Sequence, residues 1–370
     1  MNKILDRIFN TSKYSQIHTD SYFEQISALY LSNNKKKNST KIENNRTLII
    51  VPGYSVNTPP RIGHHLYYIN ALKYDSKTNP LGYKRIYLFD IYSKKNGLCN
   101  FDFSIPQLAK ELMATIDSDK EMWEFQKNGE IDFIGASMGG LIVRKFIHDY
   151  LIGKNLLITT KWGKLKIKNI VLIATPNKGC KLVDKLENPI IQFILRIIYG
   201  KNNFAKSSQF KQISSGNIPL FNKTLNKIFK KKSTSNPFLE DLNSKNPTPG
   251  DIHWVTIRGT KSQWLSKLIY DKEIENDGVI DVTSVPLDGA ENITDIDLGQ
   301  QYRWNHRDLY MADEFCYLLA GILNLELSLN QYKNLVNTYE ILQTKEKMIV
   351  DKIERTEIYD ISKSGTKVIS

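Results

Sequence analysis

The sequence has few cysteines, no long apolar run and no secretory leader pattern. Cys99, Cys180 and Cys316 are the only cysteines among 370 residues, which excludes a disulfide framework or a CxxC zinc site and favours a reducing compartment. No run approaches the roughly 18 apolar residues of a membrane-spanning helix. The first apolar stretch is short and is interrupted by Asp6 and Arg7. We therefore expect a cytoplasmic protein, and the sequence indicates no metal and no cofactor.

The charge of the chain is unbalanced toward the positive side. Lys and Arg number 51 against 39 Asp and Glu, for a formal net charge of +12, which favours contact with polyanions such as an anionic membrane surface. Much of the excess lies in short runs, Lys35 to Lys37 and Lys230 to Lys232, whose polar flanks are typical of solvated loops. No aromatic residues alternate with these runs, so we expect no nucleic-acid partner. Peripheral contact with an anionic membrane stays open.

Short β-rich runs alternate with helical segments between residues 47 and 325, which predicts one α/β domain there. Residues 1–46 are predicted to form a polar lead-in, and residues 326–370 a charged tail. Several β-rich runs are continuously apolar, as expected of strands covered on both faces, so the central sheet should be mostly parallel. The predicted strands cover residues 47–51, 85–91, 130–135, 169–175, 253–259 and 293–298. The predicted helices cover residues 105–116, 138–153 and 313–323.

The interval between Thr175 and His253 is too long for a loop and predicts a helical insertion at about residues 181–250. It contains an apolar segment, Ile190 to Tyr199, followed by a basic one. Such helices could form a lid over an acyl pocket or lie on a membrane interface. The alternative is an extra helix packed on the sheet.

The most informative motif is Gly-Ala-Ser-Met-Gly at residues 135–139, between a predicted strand and an amphipathic helix. A nucleophilic serine on such a tight turn requires small residues two positions before and after it. The N-terminus of the following helix favours developing negative charge. The motif therefore predicts Ser137 as a nucleophile. The alternative is an ordinary glycine-containing turn between a strand and a helix.

A serine nucleophile requires a base, and the base requires an acid that orients it. Of the six histidines, only His306 follows the last predicted strand. The acid should lie between the strand at 253–259 and this histidine, where Asp277 in an Asn-Asp-Gly turn is the first choice. Asp281 is the rival, followed by Asp271. The order serine, aspartate, histidine is that of the α/β-hydrolases.

An oxyanion hole requires two backbone N–H groups aimed at one point. Met138, directly after the predicted nucleophile, should provide one. Tyr54, in the loop after the first strand, should provide the other, since Gly53 allows close backbone approach and Pro52 has no N–H.

These motifs resemble those of the α/β-hydrolase superfamily and, within it, of the bacterial triacylglycerol lipases and related serine esterases. The matching segments lie in the same order from about residue 47 to residue 325. They are PGY at 52–54, GASMGG at 135–140, TPNKG at 175–179, SNPFLEDLN at 235–243, NDGVIDVTSVPLDGAEN at 276–292 and YRWNHRD at 302–308.

The resemblance implies an α/β-hydrolase fold with Ser137, Asp277 and His306 as nucleophile, acid and base. It gives the oxyanion donors as Tyr54 and Met138. The sequence departs from the family pattern at two points, since Asn177 replaces the usual histidine of the TPHxG-like segment and the usual secretion signal is not seen. Asp308 holds the place of a structural calcium ligand, for which the sequence offers no partner carboxylate. For Asp308, a helix N-cap is the alternative.

The sequence thus predicts a serine hydrolase acting on acyl lipids or other hydrophobic esters through an acyl-enzyme. The same residues would also serve an acyltransferase or a thioesterase. A non-catalytic α/β-hydrolase fold that binds a membrane through its basic insertion is the alternative from another class.

Overall fold

The computed structural model describes residues 29, 46–53, 68–69, 71–74, 79, 81–89, 103–118, 129–152, 157–161, 163–184, 212–214, 236–244, 246–262, 274–299, 303–342 and 344–345. The predicted lead-in, apart from residues 29 and 46, lies outside this part of the chain, as do Tyr54 and the segment Ile190–Tyr199. The predicted domain limits and the lid remain predictions.

The described residues form one eight-stranded sheet. Its strands are β1 (Thr47–Val51), β2 (Arg85–Leu88), β3 (Glu130–Ala136), β4 (Leu151–Ile152), β5 (Leu157–Thr160), β6 (Gly163–Ile173), β7 (His253–Arg258) and β8 (Glu291–Thr294). Six of them are parallel, in the order β2-β1-β3-β6-β7-β8. Strands β4 and β5 form an antiparallel extension that pairs with the first half of β6. The predicted α/β class with a mostly parallel sheet is confirmed.

Helices cover both faces of the sheet. They are α1 (Ile105–Ser118), α2 (Met138–Tyr150), α3 (Lys181–Asp184), α4 (Pro237–Ser244), α5 (Asp313–Asn324) and α6 (residues 329–342). Alternate residues of β1 point to opposite sides, so Ile49 and Val51 pack with α1 and α2, whereas Leu48 and Ile50 pack with α5 and α6. This two-sided burial explains why the strand sequences are continuously apolar.

Several predicted element boundaries are wrong. The strand predicted over 169–175 begins at Gly163 and ends at Ile173. The helix predicted over 138–153 ends at Tyr150 and leads into β4, and the hairpin β4–β5 was not expected. The strand predicted over 293–298 ends at Thr294, where Asp295–Leu298 form a 3₁₀ helix. Thr294 caps that helix by accepting a hydrogen bond from the N–H of Asp297, while the Asp297 side chain accepts from the N–H of Thr294. This reciprocal cap favours a helical turn over a longer strand.

Because the six parallel strands run in one direction, their carboxyl ends meet at a single edge of the sheet. The loops that leave this edge contain Gly53, Ser137, Thr175, Thr260 and Asp295. Loops at the carboxyl ends of parallel strands are where α/β proteins usually bind ligands.

Candidate active site

Ser137 joins strand β3 directly to helix α2. Its backbone has φ 51° and ψ −123°, a conformation that costs a residue with a side chain about 1–3 kcal/mol. The Ser137 N–H donates to the carbonyl of Ile173 on the neighbouring strand at 2.7 Å. The sheet therefore holds this serine in a strained turn at the end of a central strand, the position that the motif predicts.

The small residues around Ser137 are required by contacts with the end of β1. A Cβ on Gly139 would lie 2.1 Å from the carbonyl oxygen of Val51. A Cβ on Gly53 would lie 2.8 Å from the Cβ of Ser137, so the loop after β1 passes directly beside the serine. Any larger residue at these two glycines would separate the serine turn from that loop.

Asp277 and His306 form a hydrogen-bonded pair at the same edge. Nδ1 of His306 lies 2.8 Å from Oδ2 of Asp277, and the His306 N–H donates to the Asp277 carbonyl at 2.7 Å. The other carboxylate oxygen, Oδ1, accepts the N–H groups of Val279 at 2.9 Å and Ile280 at 2.7 Å. The Asp277 side chain is 2% exposed and that of His306 is 19% exposed. The carboxylate is thus buried and held by hydrogen bonds, and the imidazole is partly exposed.

Nε2 of His306 has no hydrogen-bond partner within the described part of the chain. The same holds for Oγ of Ser137 in that part of the chain. The hydrogen bond between a nucleophile and its base is often long without substrate and shortens only in the complex. The arrangement therefore leaves one imidazole nitrogen available for proton transfer.

The rival acids do not contact His306 within the described residues. Asp281 is also buried, but its Oδ1 accepts the hydroxyl of Thr283 at 2.6 Å. Asp271 lies outside the described residues. Among the other histidines, His148 contacts Asp149 on α2, and His253 contacts Glu291 near the amino end of the sheet.

Met138 opens helix α2, so its N–H is one of those that have no acceptor within the helix. It directly follows Ser137, where an oxyanion donor is predicted. The second predicted donor, Tyr54, lies outside the described residues, although the preceding Gly53 is described beside the serine. Both donor roles stay predictions.

The order of these parts along the chain is the one found in α/β-hydrolases. A strained serine follows a central parallel strand, an aspartate follows β7 and a histidine follows β8. The fold is that of an α/β-hydrolase.

Solved structures of bacterial lipases and esterases are similar to this chain at low sequence identity. The mature lipase BlEst2 from Bacillus licheniformis is 12% identical, over 76% of this chain and 92% of that one, with a TM-score of 0.46. The structure of EstA from Clostridium botulinum is 17% identical, over 79% and 90%, with a TM-score of 0.45. The Staphylococcus hyicus lipase is 15% identical, over 86% and 99%, with a TM-score of 0.39. No family model and no curated protein sequence matches the chain.

Arg144 is a buried residue near the site that the sequence analysis missed. Its side chain lies on α2, two helical turns after Ser137, and is 2% exposed. It donates to Oδ1 of Asn177 at 3.2 Å, to Oδ1 of Asn243 at 2.8 Å and to the carbonyl of Leu242 at 3.1 Å. Burial lowers the pKa of Arg144 to about 10. Arg144 is the one charged residue among the first seven residues of α2, all of them buried, and this is the signal that could have revealed it.

Asn177 and Asp308, the two positions singled out by the resemblance, have structural partners. Asn177 is fully buried, and its amide also donates to the carbonyl of Val285 at 2.5 Å, so it links α2 to the acid loop through Arg144. Asp308 accepts from Nζ of Lys261 at 3.3 Å. It is the first residue of a 3₁₀ helix, Asp308–Tyr310, and not its N-cap.

The described residues contain no cluster of three metal-binding side chains and no helix long and apolar enough to span a membrane.

Proposed function

We propose that this protein is a serine hydrolase that cleaves carboxylic esters through an acyl-enzyme intermediate. The observation that carries the proposal is the strained turn of Ser137 at the sheet edge that also holds the Asp277–His306 pair. A positive φ at a residue with a side chain is retained mainly where the geometry serves a function.

In the proposed mechanism, Oγ of Ser137 attacks the ester carbonyl while Nε2 of His306 takes the serine proton. The Asp277 carboxylate, 2.8 Å from Nδ1, holds the imidazole in the tautomer that can accept that proton and stabilises the resulting cation. The N–H groups of Met138 and Tyr54 would bind the tetrahedral oxyanion. His306 then protonates the leaving alcohol, and water, activated by the same imidazole, releases the acid.

The proposed substrates are acyl lipids or other hydrophobic esters at an anionic membrane surface. This part rests on the apolar segment Ile190–Tyr199 and on the net charge of +12. A series of p-nitrophenyl esters from short to long acyl chains, given as monomers and in anionic vesicles, tests it. Higher activity on long chains in vesicles supports the proposal, and equal activity on dispersed and aggregated esters contradicts it.

The proposed cytoplasmic location agrees with the free, buried Cys180 and Cys316.

Labelling with a fluorophosphonate probe tests the catalytic proposal directly. We expect covalent modification of Ser137, identified by peptide mass, and no modification of the Ser137→Ala variant. Ser244→Ala, at the exposed end of α4, is the matched control and should label like the wild type. A folded protein that does not react would instead support a non-catalytic binding module.

A further inference from the structure

Asp295 is a buried carboxylate outside the acid–base pair. It is the first residue after strand β8 and is 0% exposed. Its Oδ2 accepts the N–H of Thr260 at 2.9 Å and the N–H of Trp304 at 2.7 Å, and its Oδ1 accepts the hydroxyl of Thr260 at 2.8 Å. It therefore connects the carboxyl ends of β7 and β8 to the loop that contains His306.

A carboxylate in this position is costly unless donors surround it. Within the described residues, no cation forms an ion pair with Asp295, and the nearby guanidinium of Arg303 donates to the hydroxyl of Thr260 instead. The three donors to Asp295 come from Thr260 and Trp304, which lie on different segments, so the carboxylate gains its full set only when the histidine loop is seated.

Hydrogen bonds to both the N–H and the carbonyl of Trp304 fix the loop at this residue. While the Trp304 N–H donates to Asp295, its carbonyl accepts the N–H of Lys261 at 3.0 Å. A Cβ on Gly259 would lie 2.1 Å from that carbonyl oxygen, so the loop lies directly on the end of β7. The Trp304 ring is buried and meets Phe315 edge to face, with ring centroids 5.5 Å apart.

His306 follows only two residues after this fixed point. Its own N–H and Nδ1 are held by Asp277. The direction in which Nε2 points is therefore determined by two buried carboxylates, one acting on the ring and one on the backbone two residues earlier.

We propose that Asp295 is a positioning residue, whose carboxylate seats the loop at residues 303–306 and so aligns Nε2 of His306 with Ser137. The inference rests on the proposed hydrolase function. A displacement of about 1 Å at a reacting group can lower a rate by about 100-fold. Asp295 touches neither the substrate nor the reacting atoms, so its loss should lower kcat and leave KM for a short-chain ester nearly unchanged.

The first test compares Asp295→Asn with the wild type and with Asp297→Asn. The amide retains one acceptor oxygen. If that oxygen takes the place of Oδ2, the NH₂ group faces the Thr260 hydroxyl; in the other orientation it faces the N–H groups of both Thr260 and Trp304. In either orientation the Trp304 N–H loses its charged acceptor. We expect kcat for p-nitrophenyl acetate to fall about 10- to 100-fold, with KM changed less than about twofold. Asp297 lies on the same 3₁₀ helix but is exposed, and among the described residues it hydrogen-bonds only to Thr294, while its charge also acts on Arg258. Asp297→Asn should therefore keep the wild-type kcat.

A second variant distinguishes alignment of His306 from general support of the end of β7. Thr260→Val removes one donor to Asp295 and leaves the Trp304 bond in place. We expect its kcat to stay within about threefold of the wild type. A loss equal to that of Asp295→Asn would show that Asp295 only supports the end of β7, and would overturn the proposal. Asp295→Glu, which keeps the charge but moves the oxygens, should also lower kcat and replaces Asp295→Asn if that variant does not fold.

The proton NMR signal of the Nδ1–H of His306 provides a readout that does not depend on turnover. A proton held between imidazole and carboxylate resonates far downfield, and we expect its signal to shift or broaden in Asp295→Asn and not in Asp297→Asn. An unchanged signal together with unchanged kcat would refute the positioning role. A wild-type protein that fails to label at Ser137 would refute the hydrolase proposal, while this signal would still report whether Asp295 seats the loop.

Discussion

The two ends of the sheet contain the same kinds of side chain in different arrangements. Near the amino ends of the strands, Asp132 is fully buried, and its Oδ2 lies 3.1 Å from the guanidinium of Arg46. Tyr83 donates its hydroxyl to the same carboxylate, and Asn169 donates both its N–H and its side-chain amide at 2.8 and 2.9 Å. Burial lowers the pKa of Arg46, but the charge of Asp132 raises it, and the net pKa lies above its ordinary value.

At the carboxyl ends, Asp277 is equally buried, but its partner is a partly exposed imidazole, and the strained Ser137 lies at the same edge of the sheet. The amino-end group surrounds its carboxylate with donors from Arg46, Tyr83 and Asn169, so it can only stabilise the fold. The carboxyl-end pair leaves Nε2 of His306 available, and the turn after β3 holds Ser137 in a costly conformation. A buried carboxylate therefore indicates a catalytic role only when its hydrogen-bond partner has a second atom that remains available for proton transfer, as Nε2 of His306 does.

The largest expected effect is the loss of activity caused by a substitution at the carboxyl ends of the strands. Ser137→Ala should lower kcat for ester hydrolysis by about 10⁶-fold, because the members of a triad act as one unit. Its free energy of unfolding, measured by urea denaturation, should change by less than about 0.5 kcal/mol. Near-wild-type turnover in this variant would refute the proposed mechanism.

Asp277→Asn should lower kcat by about 10⁴-fold, since the amide would favour the wrong imidazole tautomer. Asp281→Asn is a matched control, because Asp281 is equally buried four residues later but bonds to Thr283. Steady-state kinetics of both variants test the assignment. A large loss in Asp281→Asn and a small one in Asp277→Asn would reassign the acid.

Asp132→Ala should have the opposite signature. Removing this carboxylate leaves Arg46 with much of its charge buried, so the free energy of unfolding should fall by about 3–5 kcal/mol. The kcat per folded molecule should not change. Glu130→Ala, on the same strand, loses a largely exposed contact of 3.9 Å with Lys166 and a weaker charge interaction with Arg46, and should cost less than about 1 kcal/mol. Equal losses in the two variants would refute the role given to the buried group.

The smallest effect concerns pH. The hydrogen bond from His253 lowers the pKa of Glu291, whose other oxygen accepts the N–H of Leu329 on α6. A carboxyl whose folded-state pKa is lowered contributes stability above its unfolded pKa of about 4.3 and loses it as the pH falls through the folded value. Because the side chain is partly exposed, the contribution should be at most about 1 kcal/mol. Urea denaturation from pH 7 to pH 3 should show a smaller drop in Glu291→Gln, and identical curves would exclude this contribution.

The sequence by itself determined the parallel sheet and the position of the serine turn. Continuously apolar runs reflect strands buried on both faces, and Gly-x-Ser-x-Gly reflects contacts within a few residues, so both are readable locally. The order of the motifs was enough to rank Asp277 and His306 first. The role of Tyr54 stays a prediction from the sequence, since it lies outside the described residues.

Only the tertiary structure decided which carboxylate meets the imidazole and what supports it. Asp277 and Asp281 both lie in the same acidic loop and are equally buried, and only one of them faces a histidine 29 residues later in the sequence. The β-rich run at 293–298 predicts Asp295 within a strand, yet Asp295 begins a 3₁₀ helix and its partners Thr260 and Trp304 come from two other segments. Such contacts join residues distant in the sequence, so their energies depend on how the strands are ordered in the sheet and leave no local pattern.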